Sequence, residues 1–228
     1  MKKLGLIGGT GPESTIEYYR KIEYGVQKET GLFPNLVIES LSVFDVLRFC
    51  AEEDYQGLSD YLVEGFQHLF AAGADFACLT GITPHIVFDE ISKRSPIPVV
   101  SMVETACEHS ATLRMDKIAL LGTYPTMSGT FFQKTFTSRG IEVVTPVEEE
   151  MRYIGEKIER ELELGQIIPD TQKRFCKICN RLVSEERVQA IVLGCTELPL
   201  ILNDSLLPVP CFDVMNIHVE KLISMIMQ

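Results

Sequence analysis

The residue of this chain best suited to chemistry is Cys195, in the segment Gly194-Cys195-Thr196-Glu197, where the chain must turn. The segment follows an apolar run, residues 190–193, with the length of a short buried strand. A cysteine just beyond the carboxyl end of a strand lies where parallel α/β sheets place reactive groups. If a helix began there, its dipole and backbone N–H groups would favour the thiolate. A structural core cysteine is the competing interpretation, because cysteine is among the most frequently buried residues.

The elements that would position this cysteine alternate between strand and helix along the whole chain. Apolar runs predict strands at residues 4–7, 35–40, 76–79, 98–102, 118–121, 142–145, 190–193 and 209–212. Helical spacing predicts helices at 14–29, 60–72, 104–113, 171–185 and 214–227, helices beginning near 87 and 128, and a polar helix ending near 164. In the first helix this spacing links Ile16, Tyr19, Ile22 and Val26. Such alternation predicts an α/β fold with mostly parallel sheets.

An internal repeat divides the chain. Leu4 aligns with Ile118 at an offset of 114 residues, and the same offset places Gly81 on Cys195 without a gap. A later segment, residues 97–101, resembles residues 209–213 at an offset of 112. Repeated α/β units predict two similar, Rossmann-like halves, whose equivalent strand ends would form opposite walls of a cleft.

The repeat also predicts the domain borders. The first half is expected to span residues 1–114 and the second half residues 115–212. The C-terminal helix, at about 213–228, is expected to pack back on the first half.

Composition excludes several classes of protein. The net charge of −11 argues against a nucleic-acid-binding protein, and no apolar stretch approaches the length of a membrane span. The opening apolar run is too short for a signal peptide. Seven cysteines at irregular spacing are typical of reduced thiols, so we expect a cytoplasmic protein.

Several short motifs together resemble the aspartate/glutamate racemase family. They occur in the family's order and cover nearly the whole chain: Gly8-Gly9-Thr10-Gly11-Pro12-Glu13-Ser14-Thr15, Thr83-Pro84-His85, Leu121-Gly122-Thr123, Gly194-Cys195-Thr196-Glu197, and Phe212-Asp213 with His218. The resemblance implies two similar α/β domains with the active site between them. It also implies racemisation of an acidic amino acid without pyridoxal phosphate or a metal ion, by a homodimer. In the usual pattern of the family, two cysteines face each other across the substrate α-carbon.

Inversion at the α-carbon explains this pattern, because a base must act on one face and an acid on the other. Hydrogen-bond donors must also stabilise the carbanion. The resemblance implies catalytic roles for Cys195 and Thr83. It implies substrate binding by Gly9, Thr10, Gly81, Ile82, Thr83, His85, Thr123, Thr126, Thr196, Glu197 and His218. Each threonine is also an ordinary turn residue.

The chain departs from the family at the first cysteine. Gly81-Ile82-Thr83 replaces the usual Cys-Asn-Thr, and Cys78, inside a strand, is better explained as a core residue. Three functions remain open: a racemase in which Cys195 works with an atypical partner such as Thr83, His85 or a water molecule, a one-thiol decarboxylase of the arylmalonate decarboxylase type, and a ligand-binding protein with little catalysis. The GGxxxEST and FDxxxxH patterns favour the racemase.

Recognition of the substrate side chain is also atypical. Some relatives carry a lysine for the distal carboxylate where a loose alignment places Glu163, and an acid there would repel aspartate or glutamate. Arg48 is an alternative cation, although a solvated surface arginine explains it equally well. Two other motifs are weak: a dinucleotide fingerprint at residues 9–14 lacks its third glycine, and the Cys176-x-x-Cys179 pair has no second ligand pair for zinc.

Overall fold

The structure, a computed structural model, describes residues 1–228 and divides into two compact units. One unit comprises residues 1–102 and 218–228, and the other comprises residues 103–217. These borders differ from the predicted ones because the helix that follows residue 102 is counted with the second unit. None of the helices combines the length and the apolar character that a membrane span requires.

The first unit is built around a four-stranded parallel sheet. Its elements are β1 (Leu4–Gly8), α1 (Pro12–Thr30), β2 (Leu36–Ser40), α2 (Val43–Ala51), α3 (Tyr55–Ala71), β3 (Phe76–Leu79), a 3₁₀ helix (Thr83–Val87), α4 (Phe88–Arg94) and β4 (Val99–Val100). The strand order β2-β1-β3-β4 makes β1 and β3 the inner pair. Their carboxyl ends therefore lie side by side.

The second unit contains another four-stranded parallel sheet. Its elements are α5 (Met102–Thr112), β5 (Lys117–Gly122), α6 (Tyr124–Ser128), α7 (Phe131–Thr137), β6 (Glu142–Val144), α8 (Glu148–Arg160), a 3₁₀ turn (Leu162–Leu164), α9 (Pro169–Glu186), β7 (Ile191–Gly194), a 3₁₀ turn (Leu198–Leu200), β8 (Cys211–Asp213) and α10 (Val214–Ile226). The order β6-β5-β7-β8 has the same topology as the first sheet. Helix α10 belongs to the first unit from His218 onward.

The strand registers confirm the internal repeat. In the first sheet Leu6 is paired with Cys78, and in the second sheet Leu120 is paired with Val192. Each residue of the second pair lies 114 positions after its counterpart. The offset found in the sequence is thus a structural equivalence, and it places Gly81 and Cys195 at corresponding positions of the two units.

The buried face of helix α1 agrees with the predicted face only in the second half of the helix. Tyr18, Ile22 and Val26 are fully buried, whereas Ile16 and Tyr19 are exposed. The buried residues follow a spacing of four, which keeps them on one narrow stripe of the helix. The prediction was correct for Ile22 and Val26 and wrong for the first turn of the series.

Other differences come from short elements. Helix α2 was not predicted. Val46, Phe49 and Cys50 pack toward the core at helical spacing, but the opposite face carries Phe44, which is 81% exposed, so the apolar stripe is hidden in the sequence. The predicted strand at 98–102 is only the two residues of β4. The polar helix ends at Arg160 rather than near 164. The helix predicted from near 128 is α7, which begins at Phe131, and it is preceded by the short α6.

Helix α10 completes the first unit by packing on α1. Gly25 of α1 has no side chain where Ile223 approaches, since a Cβ there would lie 2.3 Å from the Ile223 Cδ1 atom. The Lys2 N–H also donates to the Ile226 carbonyl at 2.8 Å. Both ends of the described chain therefore meet in the first unit.

Candidate active site

The first unit presents the turn between β1 and α1. Gly9 adopts φ +78°, in the left-handed region, and a Cβ there would lie 2.2 Å from the Leu41 carbonyl oxygen. Only glycine fits this position without displacing the backbone. The Gly9 N–H donates to Thr15 Oγ1 at 3.0 Å, which fixes the turn to the first turn of α1.

Two threonine hydroxyls hold this turn against the end of β3. The Thr15 hydroxyl lies 3.0 Å from the Gly11 carbonyl oxygen and 3.1 Å from the Thr80 hydroxyl. Thr80 in turn donates to the Ile7 carbonyl at 3.1 Å. Because these groups satisfy one another, we assign Thr15 and Thr80 to support of the turn rather than to contact with a ligand.

Thr10 and Gly81 adjoin each other at the ends of β1 and β3. The Thr10 Oγ1 atom is buried and has no hydrogen-bond partner. A Cβ added at Gly81 would lie 2.8 Å from it. Ile82 and Thr83 follow Gly81 and are half-buried at the start of the 3₁₀ helix. The first unit thus brings together the Thr10 hydroxyl, which has no partner, and the turn that contains Gly81.

Both ring nitrogens of His85 are hydrogen-bonded to backbone groups of the first unit. Its Nδ1 lies 3.1 Å from the carbonyl oxygens of Gly81 and Ile82, and its Nε2 accepts from the Met102 N–H at 3.1 Å. These contacts require the proton on Nδ1. Burial lowers the pKa of His85 to about 4, so the ring is neutral near pH 7. The expected substrate contact by His85 has no free ring nitrogen to support it, and the structure indicates that His85 positions the Gly81 turn.

His218 is fully buried on α10, where its Nδ1 lies 2.8 Å from the Tyr18 hydroxyl. The two rings are edge-on, with centroids 5.7 Å apart. Burial, with a smaller contribution from His85, lowers the pKa of His218 to about 3. His218 was expected at the substrate. The structure places it in the interior of the first unit as a neutral packing and hydrogen-bonding residue.

In the second unit, the β5–α6 turn carries Thr123 and Thr126. Their hydroxyl oxygens lie 3.0 Å apart. Thr126 is 1% exposed, and its methyl group fills the space beside Gly122 and Gly194. Thr126 therefore shapes the ends of β5 and β7, while the half-buried Thr123 is the more accessible of the two.

The β7 turn carries Cys195, and its thiol donates to a carboxylate. Cys195 Sγ lies 2.8 Å from Glu197 Oε2, and the Thr196 hydroxyl donates to Glu197 Oε1 at 2.8 Å. Both oxygens of Glu197 are thus engaged within the turn. The side chains of these three residues are half-buried.

The thiol of Cys195 is not a stabilised thiolate. Burial raises its pKa well above the usual value, and the charges of Glu197 and Glu163 raise it further, while the Glu197 N–H opposes this. This corrects the expectation of a helix-stabilised thiolate. The helical element after the turn is only the three residues Leu198–Leu200, which are too few to supply a useful dipole.

The predicted site residues thus form one group in each unit. In the first unit, Gly9, Thr10, Gly81, Ile82 and Thr83 lie at the carboxyl ends of the inner strands, with His85 and His218 in the interior. In the second unit, Thr123, Thr126, Cys195, Thr196 and Glu197 occupy the corresponding ends. No group of three or more histidine, cysteine or acidic side chains is arranged to hold a metal ion.

Sequence reasoning missed two features of these groups. Tyr18 could have been found from the spacing of four that it shares with Ile22 and Val26. The contact between Cys195 and Glu197 had only a weak signal, namely two reactive side chains two residues apart in a turn. The distance between them depends on the backbone of the turn and could not be read from the spacing.

Comparison with known proteins identifies relatives over the whole chain. The profile of the Asp/Glu/Hydantoin racemase family matches residues 7–222. A solved structure from Yersinia pestis, described as that of a candidate Asp/Glu racemase, is 31% identical with a TM-score of 0.95, and both chains are covered completely. A structure described as an aspartate racemase homologue from Pyrococcus horikoshii is 33% identical with a TM-score of 0.89, also over both complete chains.

A curated relative with a named activity is similar over part of its length. The broad specificity amino-acid racemase RacX of Bacillus subtilis is 28% identical over 153 residues. The match covers 62% of this chain and 63% of RacX.

Proposed function

This chain belongs to the Asp/Glu/Hydantoin racemase family, and on that premise we propose that it racemises an amino acid with Cys195 as an acid and base, without pyridoxal phosphate or a metal ion. The observation that carries the proposal is the position of Cys195 at the carboxyl end of β7, with its thiol hydrogen-bonded to Glu197. A buried structural cysteine would not require a carboxylate partner.

The raised pKa of Cys195 determines how a reaction would begin. In the resting protein the group is a thiol, so it is ready to deliver a proton to the α-carbon. When the substrate is the enantiomer whose α-proton faces Cys195, Glu197 first accepts the thiol proton. The thiolate then removes the α-proton and becomes a thiol again, and the carbanion receives a proton from a donor on the opposite face. Glu197 releases its proton to solvent and the donor takes one up from solvent, which restores the starting state.

Thr83 is the proposed partner on that opposite face, either directly or by orienting a water molecule. Gly81, at the position that corresponds to Cys195, has no side chain to serve this purpose, and both ring nitrogens of His85 are bonded to backbone groups. Thr83 is the first half-buried hydroxyl that follows Gly81 in the chain. A threonine hydroxyl is a much weaker acid than a thiol and is not deprotonated near pH 7, so we expect slower turnover than with two cysteines.

Stabilisation of the carbanion is assigned to hydroxyl and backbone N–H donors. Thr10 supports this assignment best, because its buried hydroxyl has no partner within the protein. Thr123 is half-buried and bonded only to the neighbouring Thr126 hydroxyl. Hydrogen bonds aimed at the developing charge are the usual means of lowering such a barrier.

Aspartate and glutamate are the substrates that the family name indicates. The name of RacX, in contrast, describes broad amino-acid specificity. The proposal is therefore racemisation of an amino acid, with aspartate and glutamate as the first substrates to test and with other amino acids in the same experiment.

We also propose a homodimer, as the family resemblance implies. Two apolar side chains of α2, Phe44 at 81% and Leu47 at 53% exposure, support an apolar contact surface in the first unit. Light scattering should give twice the mass of the chain, and Phe44→Asp should shift the protein toward the monomer. A monomeric wild-type protein at micromolar concentration would exclude the dimer.

Proton NMR in heavy water tests the proposed activity. The protein is incubated with the L- and D-forms of aspartate, glutamate, lysine and norleucine, and loss of the α-proton signal is followed. We expect exchange that Cys195→Ser reduces by about 100-fold or more, the range typical of a lost acid–base group. Cys50→Ser is the matched control, because Cys50 is half-buried on α2 and distant in sequence from every site residue.

Three other outcomes would contradict the proposal, and two of them would indicate a specific alternative function. Exchange that persists in Cys195→Ser would exclude the assigned thiol. Release of carbon dioxide from a disubstituted malonate, with no amino-acid exchange, would indicate a one-thiol decarboxylase. Thermal stabilisation by an amino acid without any exchange would indicate a binding protein.

A further inference from the structure

The backbone at position 81 does not require a glycine. The φ angle of Gly81 lies outside the left-handed region, in contrast to that of Gly9. The three atoms nearest to a Cβ added at Gly81 all belong to Thr10: Oγ1 at 2.8 Å, the carbonyl oxygen at 3.4 Å and Cβ at 3.6 Å. Only the first of these distances is shorter than an ordinary van der Waals contact. The Thr10 hydroxyl is therefore the group that excludes a side chain from position 81.

The hydroxyl that occupies this space has no partner of its own. Thr10 Oγ1 is buried and makes no hydrogen bond within the protein. A buried hydroxyl without a partner costs free energy, whereas a methyl group would fill the same space without that cost. Packing alone therefore does not account for a threonine at position 10, and its hydroxyl is available to a ligand.

The second unit has the opposite arrangement. Tyr124 is the counterpart of Thr10, because each lies two positions beyond the end of its inner strand, β5 or β1, and the two are 114 residues apart. The Tyr124 hydroxyl donates to Glu148 at 2.9 Å, which directs this side chain toward α8. Tyr124 is thus engaged with α8, and the end of β7 carries the side chain of Cys195 instead.

We propose that Thr10 is a specificity-determining residue, which excludes an acid–base side chain from position 81 and so makes the two faces of the reaction unequal. This inference rests on the proposed racemase function. Only the face that Cys195 serves has a thiol. The enantiomer whose α-proton points toward Cys195 therefore exchanges that proton faster than its mirror image.

The difference between the enantiomers follows from the proton transfers. For the favoured enantiomer, the Cys195 thiolate removes the α-proton, the resulting thiol exchanges it for a deuteron of the solvent, and the deuteron returns to the same face of the carbanion. For the other enantiomer, the α-proton must pass to a hydroxyl or a water molecule, and both are much weaker bases than a thiolate. Exchange of the second enantiomer is therefore limited by the face that lacks a thiol.

Comparison of the two enantiomers in the wild-type protein is the first arm of the test. The kcat/KM for α-proton exchange in heavy water is measured by NMR for the L- and D-forms of each amino acid that the protein accepts. We expect the two forms to differ by about tenfold or more, since a positioned acid–base group contributes about 10²–10⁴-fold in favourable cases.

A double-mutant cycle between positions 10 and 81 is the second arm. Gly81→Cys alone must displace the Thr10 hydroxyl, whereas Thr10→Ala removes that hydroxyl and leaves a Cβ at an ordinary contact distance of 3.6 Å. Thr10→Ala combined with Gly81→Cys should reduce the ratio of the two exchange rates by about tenfold or more. Thr10→Val combined with Gly81→Cys is the matched control. Valine keeps the volume beside position 81, so this combination should reduce the ratio by less.

Thermal unfolding tests the contact between the two positions without reference to activity. In the presence of Thr10, Gly81→Ala should lower the Tm by about 3 °C or more, because the new Cβ would overlap Thr10 Oγ1. In the Thr10→Ala background the same substitution should lower the Tm by much less, because the Cβ then meets no atom closer than 3.4 Å.

The outcomes separate this inference from the proposed function. Equal exchange of the two enantiomers by the wild-type protein, with a need for Cys195, overturns the inference and leaves the racemase proposal standing. The assignment to Thr10 is overturned if the alanine combination changes the ratio no more than the valine combination does, or if Gly81→Ala lowers the Tm equally in both backgrounds. Absence of exchange with every amino acid overturns the proposed function and the inference with it.

Discussion

The Sγ atom of Cys195 lies 2.8 Å from Oε2 of Glu197, so the proposed catalytic thiol is held as a hydrogen-bond donor to a carboxylate. This contact stabilises the neutral thiol, because a thiolate in its place would face a like charge. Cys195 is thus protonated in the resting protein, and the charge of Glu197 affects how readily the thiol loses its proton.

Glu197→Gln should make Cys195 a stronger acid. The amide keeps the shape of the side chain and removes its charge, so the pKa of the thiol should fall and the fraction of thiolate at a pH below that pKa should rise. The rate of Cys195 alkylation by iodoacetamide, followed against pH by mass spectrometry, measures this shift. Glu156→Gln is the control, because it removes a negative charge from the exposed surface of α8, and it should leave the pH dependence of alkylation unchanged. An unchanged profile in Glu197→Gln would show that the carboxylate does not control the thiol.

Gly81→Cys should increase racemisation. The offset of 114 residues, which the strand registers support, relates Gly81 to Cys195, so a thiol at position 81 would repeat in the first unit the group that the second unit carries. We expect α-proton exchange to rise about tenfold or more, since a positioned acid–base group contributes 10²–10⁴-fold in favourable cases.

The control for this substitution is Gly81→Ala. A Cβ at position 81 would lie 2.8 Å from Thr10 Oγ1, so any side chain there requires Thr10 to rotate. The alanine variant measures that steric effect without adding a thiol. If the folded cysteine variant is no faster than the alanine variant, the second thiol has no role at position 81.

Acid should destabilise the first unit through His85 and His218. Burial lowers their folded-state pKa values to about 4 and about 3, whereas an unfolded histidine has a pKa of about 6.5. The unfolded state therefore binds more protons below pH 6.5. The stabilisation is complete above that pH and is lost as the pH falls toward 4, by about 1.4 kcal/mol per pH unit for each histidine.

Urea unfolding between pH 7 and pH 4.5 measures this loss. His218→Gln should reduce the slope of unfolding free energy against pH by the contribution of one proton, whatever it does to stability at pH 7. His68→Gln is the control, because the exposed His68 is paired with Glu39, which raises its pKa instead. A slope that His218→Gln leaves unaltered would contradict a neutral, buried His218.

Gly9→Ala should destabilise the protein more than Gly31→Ala. Both glycines have φ +78°, and either alanine incurs about 1–2 kcal/mol of backbone strain. Only at Gly9 would the new Cβ also meet a backbone atom, the Leu41 carbonyl oxygen at 2.2 Å, whereas nothing lies within 4 Å at Gly31. Thermal unfolding of the two variants compares these effects. Equal losses of stability would indicate that the β1–α1 turn can relax freely.

The sequence predicted those parts of the fold that depend on strong, repeated patterns. The parallel sheets, the offset of 114 residues and the equivalence of Gly81 with Cys195 follow from apolar runs bounded by turns. Helix α2 was missed because apolar residues lie on both of its faces: Val46 and Phe49 face the core, whereas Phe44 is exposed and obscures the periodicity.

The pKa of Cys195 and the hydrogen bonds of His85 were less predictable from the sequence than the positions of these residues at strand ends. The position of Cys195 after a strand was correct, but its pKa depends on how a short turn folds the Glu197 carboxylate back onto sulfur. His85 was recognised as a turn residue. Its role in joining Gly81 to Met102 depends on a backbone N–H seventeen positions away, which no local pattern reveals.

The placement of residues 218–228 in the first unit has a consequence for synthesis on the ribosome. The strands of the first sheet are made first, but the helix that covers Tyr18 and Gly25 emerges only after the whole of the second unit. The first unit is therefore incomplete until residues 218–228 have been synthesised. Until then, the α1 surface that α10 covers stays open to solvent, where a chaperone or a neighbouring nascent chain can reach it.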